Sequence, residues 1–273
     1  MEKINELNDK LNKLQCYLQK LGKVAVAFSG GVDSTFLLKI AHDILGDNVA
    51  ALTAASAFVP ERDVKEAAAF CQKEGIKHFV KEFPVLTIEA IKSNPVNRCY
   101  ICKKALFSEF KDMSKELGLL AVVDGTNIDD DGDYRPGRKA LKELAIKSPL
   151  HEAGFSKQDI RKLSKAMRLS TWNKPSFACL ASRFVYGEEL TISKLNQVNA
   201  AEEYLLRQGF KQFRVRIHGD LARIELLPAD IERFMAKNIR LEADRYLKKL
   251  GFSYVSLDLL GYRTGSMNEV LPS

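Results

Sequence analysis

Apolar positions in residues 2–21 recur at Ile4, Leu7, Leu11, Leu14, Leu18 and Leu21, the three-four spacing of one helix face. The segment spans too few heptads for a coiled coil, so this helix is expected to pack on its own domain, with Cys16 inert within it. Val24 to Phe28 then reads as a buried strand, and Phe36-Leu37-Leu38-Lys39-Ile40 as the start of a helix. A second strand runs from Asn48 to Thr53 and ends in Ala54-Ala55-Ser56-Ala57. Pro60-Glu61 opens a helix to about Glu74, with a proline and an acid where a first turn favours them. Ile76 to Phe83 is a third strand, and Cys71 falls on the apolar, buried side of the preceding helix. Further on, a helix from Arg98 to about Leu117 leads to a strand at Leu119 to Val123. A strand end at Ser148-Pro149-Leu150 is followed by a helix capped by Ser156, with Asp159 in the box position, running to about Met167.

Strands alternating with helices predict a parallel sheet covered on both faces, an α/β Rossmann-like fold. From about residue 188 the pattern changes to helix (Ile192 to Arg207), strand (Phe213 to His218), strand (Leu221 to Leu226), helix (Ala229 to Leu250) and strand (Tyr254 to Leu259). This predicts a smaller α+β domain, with the division at 1–187 and 188–273.

At 273 residues, 46% hydrophobic and 28% charged, the composition is that of an ordinary globular protein. No uninterrupted apolar window of about 18 residues appears, so no membrane span is expected, and the polar N-terminus has no secretory h-region. A cytoplasmic location follows as the expectation. The formal charge of +7 suits an anionic partner, but there is no Lys/Arg block interleaved with aromatics to point to nucleic acid. Five cysteines, an odd number in a reducing compartment, argue against a disulfide framework and leave metal, catalysis or burial.

The candidate chemistry starts at Ser29-Gly30-Gly31-Val32-Asp33-Ser34-Thr35, between a strand and a helix. There, free backbone amides and the positive end of the helix dipole face an anion. The loop lacks the lysine of a Walker motif and the dinucleotide G-x-G-x-x-G spacing. It resembles the pyrophosphate loop of enzymes that split ATP between its α and β phosphates. On that likeness Gly30 and Gly31 admit the phosphates, Ser29, Ser34 and Thr35 line them, and Asp33 holds Mg²⁺. Ser56 and Gly125, at the carboxyl ends of neighbouring strands, and Arg135 join the ATP-binding set. The plainer alternative is a tight turn with Ser29 or Asp33 as a helix cap.

Cys99 and Cys102, three apart at a helix start, share a face and suit a metal, a redox pair or nothing at all; Lys103 excludes haem attachment. The acidic run Asp129, Asp130, Asp131 and Asp133 fails as an EF-hand because Arg138 stands at the twelfth position. Beside Arg135 and Arg138 it reads as metal and phosphate contacts, or as a solvated salt-bridged loop. The loop Trp172 to Arg183 carries Cys179, Ser182 and Arg183. On the strand 213–218, Arg214, Arg216 and His218 share one face, with Arg223 and Glu225 on its neighbour. They either pair across the strands or clamp a carboxylate or phosphate.

Several segments together resemble the LarE family of sulfur transferases of nickel-pincer nucleotide synthesis. They are Ser29 to Thr35, Asp133-Tyr134-Arg135-Pro136-Gly137, Trp172-Asn173-Lys174, Ser182-Arg183-Phe184, Arg214-Val215-Arg216, Ala222-Arg223-Ile224-Glu225 and Gly265-Ser266-Met267-Asn268. The resemblance implies adenylation by ATP of a carboxylate of pyridinium-3,5-biscarboxylic acid mononucleotide, then displacement of AMP by sulfur to give a thiocarboxylate. Some members sacrifice one cysteine, whose aligned place here is Ala178. Cys99, Cys102 and Cys179 instead resemble the branch whose three cysteines hold a 4Fe–4S cluster with one open iron. Sacrificial use of Cys179 and a zinc site are the alternatives. Ser182, Arg183, Arg214 and Arg216 correspond to substrate-binding positions and Glu202 to a metal-binding one, whose acidic companion position falls near Arg233 here. The family further implies a homohexamer and an unidentified sulfide donor. The rival readings are a tRNA thiolase, which Val32 in place of lysine disfavours, and a non-catalytic nucleotide sensor.

Overall fold

In the computed structural model of the chain, residues 2–131, 136–175 and 178–269 are described. The elements run α1 (Glu2–Leu21), β1 (Val24–Ala27), α2 (Val32–Leu45), β2 (Val49–Ala55), α3 (Glu61–Glu74), β3 (Lys77–Glu82), α4 (Glu89–Lys92), α5 (Arg98–Glu116), β4 (Ala121–Val123), α6 (Pro136–Glu143), α7 (Pro149–Glu152) and α8 (Lys157–Ala166). There follow α9 (Ile192–Arg207), β5 (Phe213–His218), β6 (Leu221–Leu226), α10 (Pro228–Met235), α11 (Lys237–Lys249) and β7 (Tyr254–Leu257). No helix among the described residues is long and apolar enough to cross a membrane.

Two compact units form, one from residues 1–83 and 99–177, the other from 84–98 and 178–273. The division predicted at 187/188 therefore lies ten residues earlier, and a segment around α4 is drawn into the second unit. Asn94 is the reason. It is fully buried, it donates through Nδ2 to the carbonyls of Phe184 (3.2 Å) and Val185 (2.7 Å), and its own carbonyl accepts from the Gly187 amide. Arg98 bonds the Asn94 side chain and donates to the Ala181 carbonyl at 3.1 Å. Such long-range side-chain bonding has no periodicity and leaves no trace in a hydrophobic pattern.

In the first unit β1 to β4 form a parallel sheet in the order β3-β2-β1-β4. Alternate residues of β1 serve opposite faces. Val24 and Val26 join a core with Leu14 and Leu18 of α1, Phe36 and Leu37 of α2 and Ile160 of α8. Ala25 faces Phe107 and Phe110 of α5 and Leu141 of α6. The chain steps outward from β1 to β3 and then returns to place β4 on the other side of β1. The carboxyl ends of β1 and β4 thus form the switch point at which such sheets open a crevice. Two local expectations change. Ser148-Pro149-Leu150 opens the single-turn α7 rather than ending a strand, although Lys147 bridges Val123. The helix predicted from Ala229 to Leu250 is split at Ala236, which leaves the helical region at φ −53°, ψ 134°.

In the second unit β5 and β6 are antiparallel and β7 pairs parallel with β6. Leu195, Val198, Ala201 and Leu205 of α9 and Phe213, Val215 and Ile217 of β5 are all buried.

A hydrogen-bond chain supports the end of β1 from below. The Thr53 hydroxyl donates to the Phe28 carbonyl at 2.8 Å, so the His78 Nε2, also 2.8 Å from that hydroxyl, carries the proton and donates. Burial holds the His78 imidazole below its usual 6.5. A base depressed in the folded state contributes stability that is complete above its unfolded value and is lost as pH falls through it. We expect the melting temperature to fall between neutral pH and about pH 5, and to fall less steeply in His78→Gln, as a pH series of thermal melts will show.

Candidate active site

β1 ends at Ala27, and the Phe28 amide still donates to Leu52 of β2. Gly30 then adopts φ +67°, the left-handed region that glycine enters at no steric cost. Gly31 is the N-cap of α2, and no side chain caps it. Ser29 and Ser34 are hydrogen-bonded to each other instead (Oγ to Oγ 3.1 Å), and Asp33 faces elsewhere. The capping alternative therefore fails, and the start of α2 opens into a cavity of about 660 Å³. Ser29, Gly31, Asp33, Ser34 and Gly125 line it, and Val59, Val64, Leu106, Phe107 and Phe110 give it an apolar wall. That volume and mix of surfaces suit a nucleotide. A Cβ at Gly125 would lie 3.0 Å from the Ser34 nitrogen and 3.2 Å from the Asp33 carbonyl carbon, so only glycine lets this loop lie against the helix start.

Asp33 is the polar pivot of the cavity. Burial raises its carboxyl above the usual range even though Lys157 forms an ion pair with Oδ2. Its other oxygen, Oδ1, is buried and has no partner among the described residues. A largely desolvated carboxylate with a bare oxygen at an anion site fits a divalent cation bridging to phosphate. Lys157 was not among the predicted residues: as the first helical residue after the Ser156 cap it reads as an ordinary surface lysine. It faces the cavity because its amide donates to Asp129 Oδ2 at 2.8 Å. Lys103 also lines the cavity, beside Cys102 in sequence.

The remaining predicted groups scatter. Thr35 is fully buried behind the loop, and Ser56 accepts the Phe58 amide; neither lines the cavity. Arg135 lies outside the described residues, as do Asp133 and Tyr134. Asp129 and Asp130 of the acidic run line the cavity and are also bonded within the protein. Asp130 completes a capping box with Asn127, Asp129 holds Lys157, and Asp131 pairs with Arg138 (2.5 Å) and His151 (3.0 Å). Those two partners, His151 first, keep the Asp131 carboxyl below its usual range.

Cys99 and Cys102 stand one turn apart at the start of α5, both partly buried. Cys179, also partly buried, belongs to the second unit. Cys16 is exposed; Cys71 is fully buried, and burial pushes its thiol up to about 12. Among the described residues no group of three or more His, Cys, Asp or Glu is arranged to hold a metal ion.

The second unit buries a set of charges. Arg183 is 1% exposed and forms a two-pronged pair with Glu202, 2.8 Å on each arm. Its remaining nitrogen holds the carbonyls of Ala178 (2.6 Å) and Cys179 (3.2 Å) and the Ser182 hydroxyl. Glu202 also accepts the Val215 amide. Both residues thus fix the Cys179 loop on β5. Arg216 is similarly occupied by Glu225, by Ser266 (2.7 Å) and by the Ser182 carbonyl (2.6 Å), and Arg223 shares Glu225. The cross-strand alternative describes Arg216. Arg214 is different: its guanidinium lies 5.0 Å over the Tyr262 ring, and burial and the neighbouring Arg183 pull it down to about 10.

Two outcomes are expected. Gly125→Ala will push on the backbone at the start of α2, costing about 1–3 kcal/mol in a denaturant titration and weakening nucleotide binding more than stability alone explains. Glu225→Ala leaves the buried Arg216 without its carboxylate and takes one of two from Arg223, and will cost about 3–5 kcal/mol in the same measurement.

The site can be set beside known proteins. A family model described as NAD synthase matches residues 4–109. An uncharacterised protein of Synechocystis is 42% identical over 265 residues, covering 97% of this chain and 99% of that one. The pyridinium-3,5-bisthiocarboxylic acid mononucleotide synthase of Lactiplantibacillus plantarum is 42% identical over 266 residues, 97% of this chain and 96% of that one. The tRNA-specific 2-thiouridylase MnmA of Rhizobium leguminosarum is more distant, 26% identical over 226 residues, with 66% of this chain and 56% of that one covered. With an ATP-type loop at the switch point of its sheet and near-complete overlap with the Lactiplantibacillus enzyme, the chain belongs to the LarE family of pyridinium-3,5-bisthiocarboxylic acid mononucleotide synthases.

Proposed function

We propose that this protein uses ATP to turn carboxylates of pyridinium-3,5-biscarboxylic acid mononucleotide into thiocarboxylates, in the assembly of a nickel-pincer nucleotide. One observation carries the reading: the side-chain-uncapped start of α2 opens into a nucleotide-sized cavity beside the bare Oδ1 of Asp33, in a chain 42% identical to a synthase of the bisthiocarboxylic product.

A carboxylate resists attack by sulfur because its leaving group would be oxide. In the first step a carboxylate oxygen attacks the α-phosphorus, the bond to the bridging oxygen of the β-phosphate breaks, and pyrophosphate leaves. Sulfide then attacks the acyl carbon, and the C–O bond to AMP breaks, leaving C–S in its place. The amides at the start of α2, with Ser29 and Ser34, bind the departing pyrophosphate. Asp33 would hold Mg²⁺, which neutralises phosphate charge. Arg214, buried on β5 with its guanidinium over the Tyr262 ring, serves the mononucleotide phosphate. Ser182, Arg183 and Arg216 act behind it as the frame of that site.

For sulfur, the reading rests on the thiols of Cys99, Cys102 and Cys179, with a 4Fe–4S cluster as the group they would hold and as the supplier of sulfide. Its support is the helical Cys99–Cys102 pair and the clamping of the Cys179 carbonyl by Arg183. The working state is a cytoplasmic homo-oligomer.

Anaerobic incubation with ATP, Mg²⁺, sulfide and the dicarboxylate is expected to give AMP, pyrophosphate and an oxygen-to-sulfur mass shift by mass spectrometry. Pyrophosphate release that does not depend on the dicarboxylate would defeat the reading. Iron and acid-labile sulfide should co-purify anaerobically and drop in Cys99→Ser; iron-free protein that turns over many times would remove the cluster and leave the adenylation.

A further inference from the structure

The loop that follows α8 reaches back to the glycine turn. Lys174 is the contact: its ammonium donates to the Gly30 carbonyl at 3.2 Å and to Glu66 Oε2 of α3 at 2.7 Å, and lies 3.7 Å from Asp63 Oδ1. The lysine is held from behind. Its amide donates to the Thr171 carbonyl, and Arg161 of α8 donates to the carbonyls of both Trp172 and Lys174, each at 2.9 Å. Lys165 sits 4.7 Å over the Trp172 ring and pins the same turn.

We infer that Lys174 is a positioning residue for the phosphate-binding amide of Gly31. The carbonyl of Gly30 and the N–H of Gly31 belong to one planar trans peptide and point in opposite directions. An ammonium pulling on the carbonyl from outside the loop fixes the plane, aims the N–H inward, and polarises it into a stronger donor. The left-handed φ of Gly30 turns that carbonyl outward in the first place. Left alone, the amide has only a long contact, 3.4 Å to Ser29 Oγ. Lys174 is not itself a phosphate ligand: its ammonium is engaged by Gly30, Glu66 and Asp63, and the two carboxylates more than offset its charge. It works through the peptide it holds.

This inference rests on the proposed use of ATP at the loop and adds a group on the far side of it. Binding of MgATP to the full chain, by calorimetry without the dicarboxylate, tests it on three proteins: the unaltered chain, Lys174→Met and Lys174→Arg. Methionine keeps the stem and loses the donor, so MgATP affinity should fall about tenfold, as expected for loss of one charge-assisted bond. Arginine should restore most of it. In turnover the KM for ATP should rise while the KM for the dicarboxylate and the melting temperature hold. Lys174→Met binding MgATP as the unaltered chain does overturns the inference, and so does a loss shared equally by ATP, dicarboxylate and melting temperature. An unaltered chain that binds no MgATP overturns the adenylation reading and this inference with it, whereas binding of ATP with no action on the dicarboxylate overturns the former alone.

Discussion

An α-helix begins with amides that have no partner inside the helix, and α2 begins with none supplied by a capping side chain. Leaving such donors at the bottom of a cavity is unfavourable unless something negative arrives. The rest of the first unit can be understood as keeping that arrangement in place. The left-handed Gly30 breaks the path of β1 so that the helix starts at its carboxyl end, Thr53 and His78 hold the strand carbonyl below, and Gly125 lets the neighbouring loop close in from the side. The apolar packing of Val24, Val26 and Phe36 fixes strand and helix rigidly enough for the gap between them to keep its shape.

Charge plays the opposite part in the second unit. Among the described residues Arg183 pairs with Glu202, and Arg216 and Arg223 share Glu225, with Asp258 a further 3.5 Å partner for Arg223. Buried guanidinia are tolerated when their fork is filled, as the forks of Arg183 and Arg216 are by Glu202 and Glu225. The arrangement makes a stiff frame out of residue types usually associated with ligand binding.

How far the sequence carried depends on the range of the interaction. Strands and helices rest on local periodicity, and β5, β6 and α9 fall where alternation and capping signals placed them. The glycine loop is equally local. The unit boundary was missed because it turns on Asn94, a single buried side chain bonded to residues about ninety positions away. The bonding of Arg183 and Arg216 within the protein is not legible, because a sequence shows an arginine but not how its five donors are engaged. Asp33 was legible as a residue type, while its bare oxygen and the approach of Lys157 needed three-dimensional neighbours. The Ala236 break is marked by neither proline nor glycine, and nothing in the chain around it announces it.

Cys71, set aside as a core residue, has a further consequence. A thiolate attacks the S–S bond of a persulfide or disulfide and displaces the other sulfur as thiolate, so every accessible cysteine of a sulfurtransferase is open to such exchange. With its thiol at about 12 and its side chain sealed between α3 and the sheet, Cys71 offers almost no thiolate at cellular pH. The hydrophobic core thereby acts as chemical insulation: the same packing that stabilises the fold narrows the set of sulfurs that can take part in exchange.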